Sequence, residues 1–181
     1  AMTVDASSAH QDSLPVSSDK MLDLLRAAGC EITAYSHIPL RTVEDAKTVQ
    51  GDVLPSGEGI LNIKNFYLRD RKKRNYLVVL EQDREVDLKA LGAQIGAPGP
   101  SFGSPERLME HLGVRPGAVS PLAMVTGAEM GVTLVMDAAL RRAEVVHLHP
   151  LVNDRTVAMT PDDLERVLSG WGAEIRWLEL S

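Results

Sequence analysis

Few side chains in this sequence are spaced for chemistry they could perform unaided. Of the five histidines, only His147 and His149 stand two apart, which on a strand turns both to one face and lets them meet one metal ion. No third ligand accompanies them: Asp137 and Asp154 are arbitrary choices, and no metal site is predicted. The single cysteine, Cys30, follows a helix-stopping glycine without a marked partner, and it can neither close an internal disulfide nor build a thiolate cage. The sequence contains no Gly-x-Ser-x-Gly elbow and no Gly-x-x-x-x-Gly-Lys-Ser/Thr phosphate loop. The usual nucleophiles and cofactor loops are missing, and no cofactor is expected.

Three local sequences stand out instead. The first is Lys64-Asn65-Phe66-Tyr67-Leu68-Arg69-Asp70, the second Gly113-Val114-Arg115-Pro116-Gly117-Ala118-Val119-Ser120-Pro121-Leu122, and the third His149-Pro150-Leu151-Val152-Asn153-Asp154-Arg155-Thr156. Each has a plain structural role open to it: a surface lysine, an ordinary Gly/Pro-rich connection, and a strand end held by a turn-favouring asparagine.

The elements that must position these segments are legible in outline. Ser17, Ser18 and Asp19 are candidate caps for a helix carrying Met21, Leu22, Leu24 and Leu25 to Gly29. A short strand is predicted over 31–36, and Thr42 with Asp45 signals a helix running to about Gln50. Ile60 to Leu68 and Tyr76 to Leu80 form a hairpin around a basic turn. Asp87 opens an amphipathic helix, and Ser104-Pro105-Glu106 opens another that stops at Gly113. Strands are predicted at Ser120 to Thr126, Val132 to Asp137 and Glu144 to His149, then a helix at Pro161 to Leu168 and a strand at Glu174 to Leu178. Hairpins with interspersed helices give an α+β domain on one mixed, curved sheet, without a regular βαβ repeat.

The 181 residues and 19.7 kDa suit one core, or one core and a tail. Residues 1–16, rich in Ser, Ala, Asp and Gln, are expected to be a disordered tail, and residues 17–181 the folded domain. No apolar run reaches the roughly 18 residues that cross a bilayer, and residues 1–14 lack the order of a secretory signal, so a cytoplasmic protein without a membrane partner is expected. Net charge is −6, which argues against a general nucleic-acid coat. Residues 64–74, however, set Lys64, Arg69, Arg71, Lys72, Lys73 and Arg74 against Asp70 alone, a local charge of +5. This basic prong on an acidic body is either a solvated hairpin tip or a phosphate contact.

Taken together and in this order, the three segments resemble the YbaK and prolyl-tRNA-synthetase-associated editing-domain superfamily, most closely its free-standing ProXp-ala branch. The resemblance covers the chain from about Ser18 to its end. It implies a mixed, largely antiparallel curved sheet surrounded by helices, and hydrolysis of the ester in mischarged tRNA, alanyl-tRNA for proline in this branch. Such an activity suits a synthetase pocket built for proline, which loses only roughly 1–3 kcal/mol of discrimination per missing methylene and so needs a second, smaller sieve. The resemblance also implies roles. Lys64 would hold the terminal adenosine, and Gly117 and Ala118 would bring backbone N–H groups to the developing oxyanion. His149 would shape the pocket or order water. Asn65, Val119, Ser120 and Pro121 would contact the substrate, with Phe102, Val119, Leu122 and His149 as pocket walls. Asn153 and Thr156 would hold the loop. Arg69, Arg71, Lys72, Lys73 and Arg74 would meet acceptor-stem phosphates. The partners implied are a mischarged tRNA, through its acceptor stem and CCA end, and prolyl-tRNA synthetase as a further candidate. Ala97-Pro98-Gly99-Pro100 stands where family members often carry a basic residue before Ser101-Phe102, which leaves recognition of particular acceptor bases open. A non-catalytic RNA-binding module, a deacylase for 2-aminobutyrate, serine or cysteine, and a hydrolase built on His147 and His149 are the competing readings.

Overall fold

Capping chemistry sets where the helices begin. The computed structural model describes residues 4–180. In it, Ser17 Oγ accepts from the Lys20 N–H at the head of α1 (Ser18–Ala27), and Thr42 Oγ1 accepts from Asp45 N–H at α2 (Val43–Val49). Helix α3 (Leu88–Ile95) follows Asp87, whose side chain makes no cap bond. Ser104 caps α4 (Pro105–Leu112), with proline pre-set for the first turn and Gly113 left-handed at its end. After the short α5 (Met124–Gly127), Thr160 caps α6 (Pro161–Gly170) in the same way.

The strands are β1 (Thr33–Ser36), β2 (Ile60–Arg69), β3 (Asn75–Glu81), β4 (Ser101–Phe102), β5 (Thr133–Asp137), β6 (Val145–Leu148), β7 (Arg155–Met159) and β8 (Ile175–Leu178). They form one mixed sheet in the order β1-β7-β6-β2-β3-β5-β8, with β4 added to β2. The β1/β7, β2/β3, β2/β4 and β6/β7 pairs are antiparallel, while β2/β6, β3/β5 and β5/β8 are parallel. This is the α+β mixed sheet that the order of elements suggests. Period-two alternation sorts the central strands onto two cores. Leu77, Val79, Leu134 and Met136 pack with Met21, Leu25, Leu112 and Leu168 of the helices on one face, and Leu68, Val78, Leu80 and Val135 pack with Leu91 and Ile95 of α3 on the other. Each such leucine, fully buried, contributes about 1.5–3 kcal/mol relative to exposure. Among the described residues no helix is long and apolar enough to cross a membrane.

Three segments depart from the sequence reading. The strand expected over Ser120 to Thr126 is a 3-10 turn at Pro121–Ala123 running into α5, because Ser120 Oγ accepts from Leu122 N–H and proline at the first position starts a helical turn. The third motif ends in the first two residues of the unpredicted strand β7. The N-terminal segment expected to be a disordered tail is docked on the domain, although Ala1, Met2 and Thr3 of that tail, like Ser181 at the other end, lie outside the described residues. Ser8–Ser13 forms a 3-10 helix, and Ala6 is buried. Asp154 accepts from both Ser8 N–H (2.9 Å) and Ser8 Oγ (2.7 Å), Ala6 O accepts from Asn153 N–H, and Arg115 donates to Ser13 Oγ (2.8 Å). Polar side chains that bond to loops act here as a strap across two of the three motifs.

Candidate active site

A change of partner along β2 opens the site. Residues Ile60–Asn62 pair with β6, and Leu68–Arg69 pair with β4, but from Ile63 to Phe66 the strand pairs with β3 alone. Alternate strand residues face opposite ways, so Ile63 and Asn65 point toward one core and Lys64 and Phe66 toward the other. The unpaired edge lets both sets reach one cavity. That cleft, about 230 Å³, is walled by Leu40, Arg41 and Ala46 on one side and by Lys64, Asn65, Gly117, Val119 and His149 on the other. Behind it lies a recess of about 50 Å³ that shares Leu40, Asn65, Gln82 and His149 with the cleft and adds His147 and Thr156.

The Lys64 ammonium donates to the Arg84 carbonyl and lies 6.0 Å from the Phe66 ring centroid. Of its three donors, one is used by that carbonyl. Arg84 is itself held by Asp137, whose fully buried carboxylate accepts from Arg84 Nε and Nη2 and from the N–H groups of Glu81 and Ala139. Burial presses the Asp137 pKa upward, but these donors outweigh it and hold the carboxyl below its ordinary value.

The Gly117 loop shows which amides are free. Ala118 is buried and its N–H donates to Arg115 O (3.0 Å), so the expected role for this residue as an oxyanion donor is not available to it. Gly117 N–H and Val119 N–H, on either side, have no acceptor among the described residues. Gly117 has φ of 93°, which disfavours other residues, and a Cβ there would lie 3.4 Å from Asn153 Nδ2. Ser120, Pro121 and Leu122 are buried below this loop and line neither cavity; Ser120 is a cap, and Leu122 is core. Phe102 also falls outside the cleft. It is 63% exposed on β4 and meets Phe66 edge to face at 5.7 Å. The pocket walls among those four candidates are Val119 and His149.

Burial disfavours the charged form of His147 and His149. Burial, first, pushes the His149 pKa below its ordinary value, and His37, 6.3 Å away between ring centroids, adds to this. His149 Nδ1 lies 2.8 Å from Arg155 O, a carbonyl that can only accept, so Nδ1 carries the proton and Nε2 presents a lone pair. His37 Nδ1 likewise faces Ile38 O, and His37 Nε2 and Thr156 Oγ1 are hydrogen-bonded at 2.7 Å. Thr156 therefore fixes a ring beside the site from within the recess. Asn153 is buried under the strap, with its side-chain oxygen unpartnered. Sequence reasoning considers His147 only as a metal ligand. In the structure it is buried in the recess, burial lowers its pKa, and its Nδ1 has no hydrogen-bond partner. Among the described residues no three His, Cys, Asp or Glu side chains gather as a metal cluster. Asn65 Oδ1 is likewise buried without a partner at the junction of cleft and recess. The signal for His147 was its spacing from His149; Gln82 and Arg41 belonged to no motif.

At the hairpin tip the five basic residues divide. Arg74 is committed, pairing with Asp70 at 2.8 Å and donating to Gly96 O. Arg71 N–H donates to Pro98 O, and its side chain rests on Gly99, so the Pro/Gly segment docks under the turn. Lys72 and Lys73 are exposed, and Arg69 is half-buried.

With this fold and cleft in place, comparison with known proteins gives the class: the family model described as "Aminoacyl-tRNA editing domain" matches residues 37–167, and the chain belongs to that family, a class of hydrolases that edit aminoacyl-tRNA. Among individual relatives, the chain is 34% identical over 149 residues to the "Prolyl-tRNA editing protein ProX" of Acetoanaerobium sticklandii, covering 82% of this chain and 88% of that one. It is 34% identical over 159 residues to "Prolyl-tRNA synthetase associated domain-containing protein 1" of Danio rerio, covering 85% and 83%. A solved structure proposed as a trans-editing enzyme for prolyl tRNA synthetase shares the fold with a TM-score of 0.63 at 20% identity, over 91% of this chain and 98% of that one.

Proposed function

We propose that this protein is a trans-acting deacylase that hydrolyses the ester of mischarged tRNA for proline, with alanine as the preferred aminoacyl group. The observation that carries the reading is the gathering of Lys64, the free Gly117 and Val119 amides and His149 around one cleft, with a recess of about 50 Å³ behind it. The recess is much the smaller of the two cavities, which suits a methyl side chain over a pyrrolidine ring. This supplies the steric sieve that a proline pocket lacks.

In this mechanism a water oxygen attacks the acyl carbon, the bond from that carbon to the ribose oxygen breaks, and the ribose oxygen leaves with a proton. The neighbouring ribose hydroxyl relays the proton, which suits a site without a protein nucleophile. The Gly117 and Val119 N–H groups face the charge that develops on the carbonyl oxygen, where removal of one such donor in other enzymes costs about 3–4 kcal/mol. His149 Nε2 accepts from the water and fixes its position. The buried Asn65 Oδ1 accepts from the α-ammonium group of the aminoacyl moiety, and Lys64 uses its remaining donors on the ribose or phosphate of the terminal adenosine. Lys72, Lys73 and Arg71 contact acceptor-stem phosphates. Prolyl-tRNA synthetase is the natural source of the substrate.

A panel of tRNAs charged with alanine, 2-aminobutyrate, serine, cysteine or proline, incubated with the protein and with Lys64→Ala, tests this. Alanine release by the wild type, a loss of about 100-fold or more in kcat/KM in the variant, equivalent to about 2.7 kcal/mol, and intact prolyl-tRNA are expected. Intact alanyl ester at high protein concentration overturns the reading. Equal affinity for charged and uncharged tRNA without turnover would replace it with a binding module.

A further inference from the structure

The cleft does not end at Gly117. A second cavity, about 950 Å³, begins on the other side of that residue and shares both Gly117 and Arg41 with the cleft. Its opposite wall carries Arg115 and the first turns of α4, at Pro105 and Met109. Only Gly103 and Ser104 separate Pro105 from β4, which pairs with Leu68 and Arg69 at the root of the basic hairpin. One wall of the cavity thus follows directly in the chain from the strand that pairs with the root of the cationic prong, while the other wall is shared with the cleft.

Its charge is distinctive. Among the described residues neither the Arg41 nor the Arg115 guanidinium has a carboxylate within ion-pair distance; Arg115 donates to Ser13 Oγ at 2.8 Å, and the Arg41 contact with Asp45 is made by its backbone N–H. Two carboxylates also line the cavity. Asp5 Oδ1 accepts from Ser7 N–H (3.0 Å) and Ser7 Oγ (2.6 Å) and lies 3.7 Å from His10 Nε2, Asp5 Oδ2 has no hydrogen-bond partner among the described residues, and Glu106 sits in the first turn of α4. Two guanidinium groups without an ion-pair partner, both lining a roomy, partly apolar cavity, suit a phosphodiester flanked by bases, and a carboxylate in the same cavity suits the amino group of cytosine.

We infer that this cavity is a subsite for the single-stranded RNA 3′ end, seating the nucleotide before the terminal adenosine, with Arg41 and Arg115 as ligands to the phosphate that joins the two. The inference rests on the deacylase reading and extends it from the reacting ester to the nucleotide behind it. It also gives the N-terminal strap a task, since Ser13 holds Arg115 and Ala6 forms part of the wall.

The test compares kcat/KM for three small substrates, 3′-alanyl adenosine, alanyl-CpA and alanyl-CpCpA, in the wild type, Arg41→Ala and Arg115→Ala. Each gain per nucleotide is a ratio taken within one variant, so changes in folding or in the chemical step cancel. In the wild type the second nucleotide is expected to raise kcat/KM about tenfold or more, the worth of one charge-assisted contact, and the third to add less. In either variant the gain on going from adenosine to CpA is expected to fall below about threefold, and the double variant to abolish it. An unchanged gain in both variants, or no gain in the wild type, overturns the subsite. Failure of the deacylase reading looks different: no substrate, alanyl-tRNA included, is turned over. Fluorescence anisotropy with 5′-labelled, uncharged CpCpA then reads the subsite directly, with weaker binding in Arg115→Ala supporting it and equal or absent binding overturning it.

Discussion

At the scale of single residues, the site depends on groups that stay unsatisfied inside the protein. Asn65 Oδ1 and His147 Nδ1 are buried without partners, a costly state that is retained where a ligand completes the bond. His149 differs, since its proton is fixed on Nδ1 by Arg155 O and its function needs the bare Nε2. Burial depresses its pKa, so the folded protein keeps the ring neutral below the ordinary histidine value of about 6.5. On the acid side the profile of kcat/KM against pH should hold down to about pH 6.5 and fall only below it, as protonation removes the lone pair. A fall already complete by pH 7 would remove His149 from the proposed role. Stability follows the same sign. Below about 6.5 the unfolded chain takes up the proton and the folded one does not, so this residue's contribution declines as pH falls toward its folded value.

At the scale of elements, one carboxylate ties several together. Asp137, at the end of β5, bonds to β3 through Glu81 and to Arg84, whose carbonyl receives the Lys64 ammonium. Asp137→Asn leaves Arg84 without its countercharge, and a loss of about 3 kcal/mol in urea unfolding is expected. The depressed Asp137 pKa means that this contribution is present above about pH 4 and disappears as pH falls below it. The same difference measured at pH 3 should therefore shrink. Elements were legible where local chemistry announced them. Ser17, Thr42 and Ser104, read as caps, cap helices in the structure, and the hairpin stood out by its two apolar runs. An apolar stretch such as Ser120 to Thr126 has no decisive period, and Ser-Pro at its head outweighed its strand-like composition. Strand β7 was hidden because its first residues coincide with a motif read as a loop. The docking of residues 4–16 could not be read from composition, since it depends on which distant acceptors the serines find. In the site, Lys64, Asn65, Gly117, Val119 and His149 were named from motifs and line the cleft, whereas Ala118, Ser120, Pro121 and Leu122, named from the same second motif, are buried away from it and Phe102 lies exposed on β4.

At the scale of the molecule, charge is unevenly shared: the chain carries −6 while the hairpin tip carries an excess of cations. Binding of a polyanion should therefore be local and sensitive to salt. Neutralising two or three phosphates gives a slope of roughly −2 to −3 in the logarithm of affinity against the logarithm of salt concentration. Lys72→Glu with Lys73→Glu should flatten that slope while leaving hydrolysis of alanyl adenosine intact, because neither residue approaches the cleft. A slope unchanged in this double variant would show that the prong is only a solubilising turn. The strap has a different bearing on the whole chain. Its bonds from Ser8 to Asp154 span 146 residues, and β1 likewise waits for β7. Contacts of such separation form late and slow the search for the native state. During synthesis Ser8 emerges with nothing to hold, and it finds its acceptor only when the ribosome has delivered Asp154. A nascent fragment that stops short of Asp154 therefore lacks the fastening of its second and third motifs.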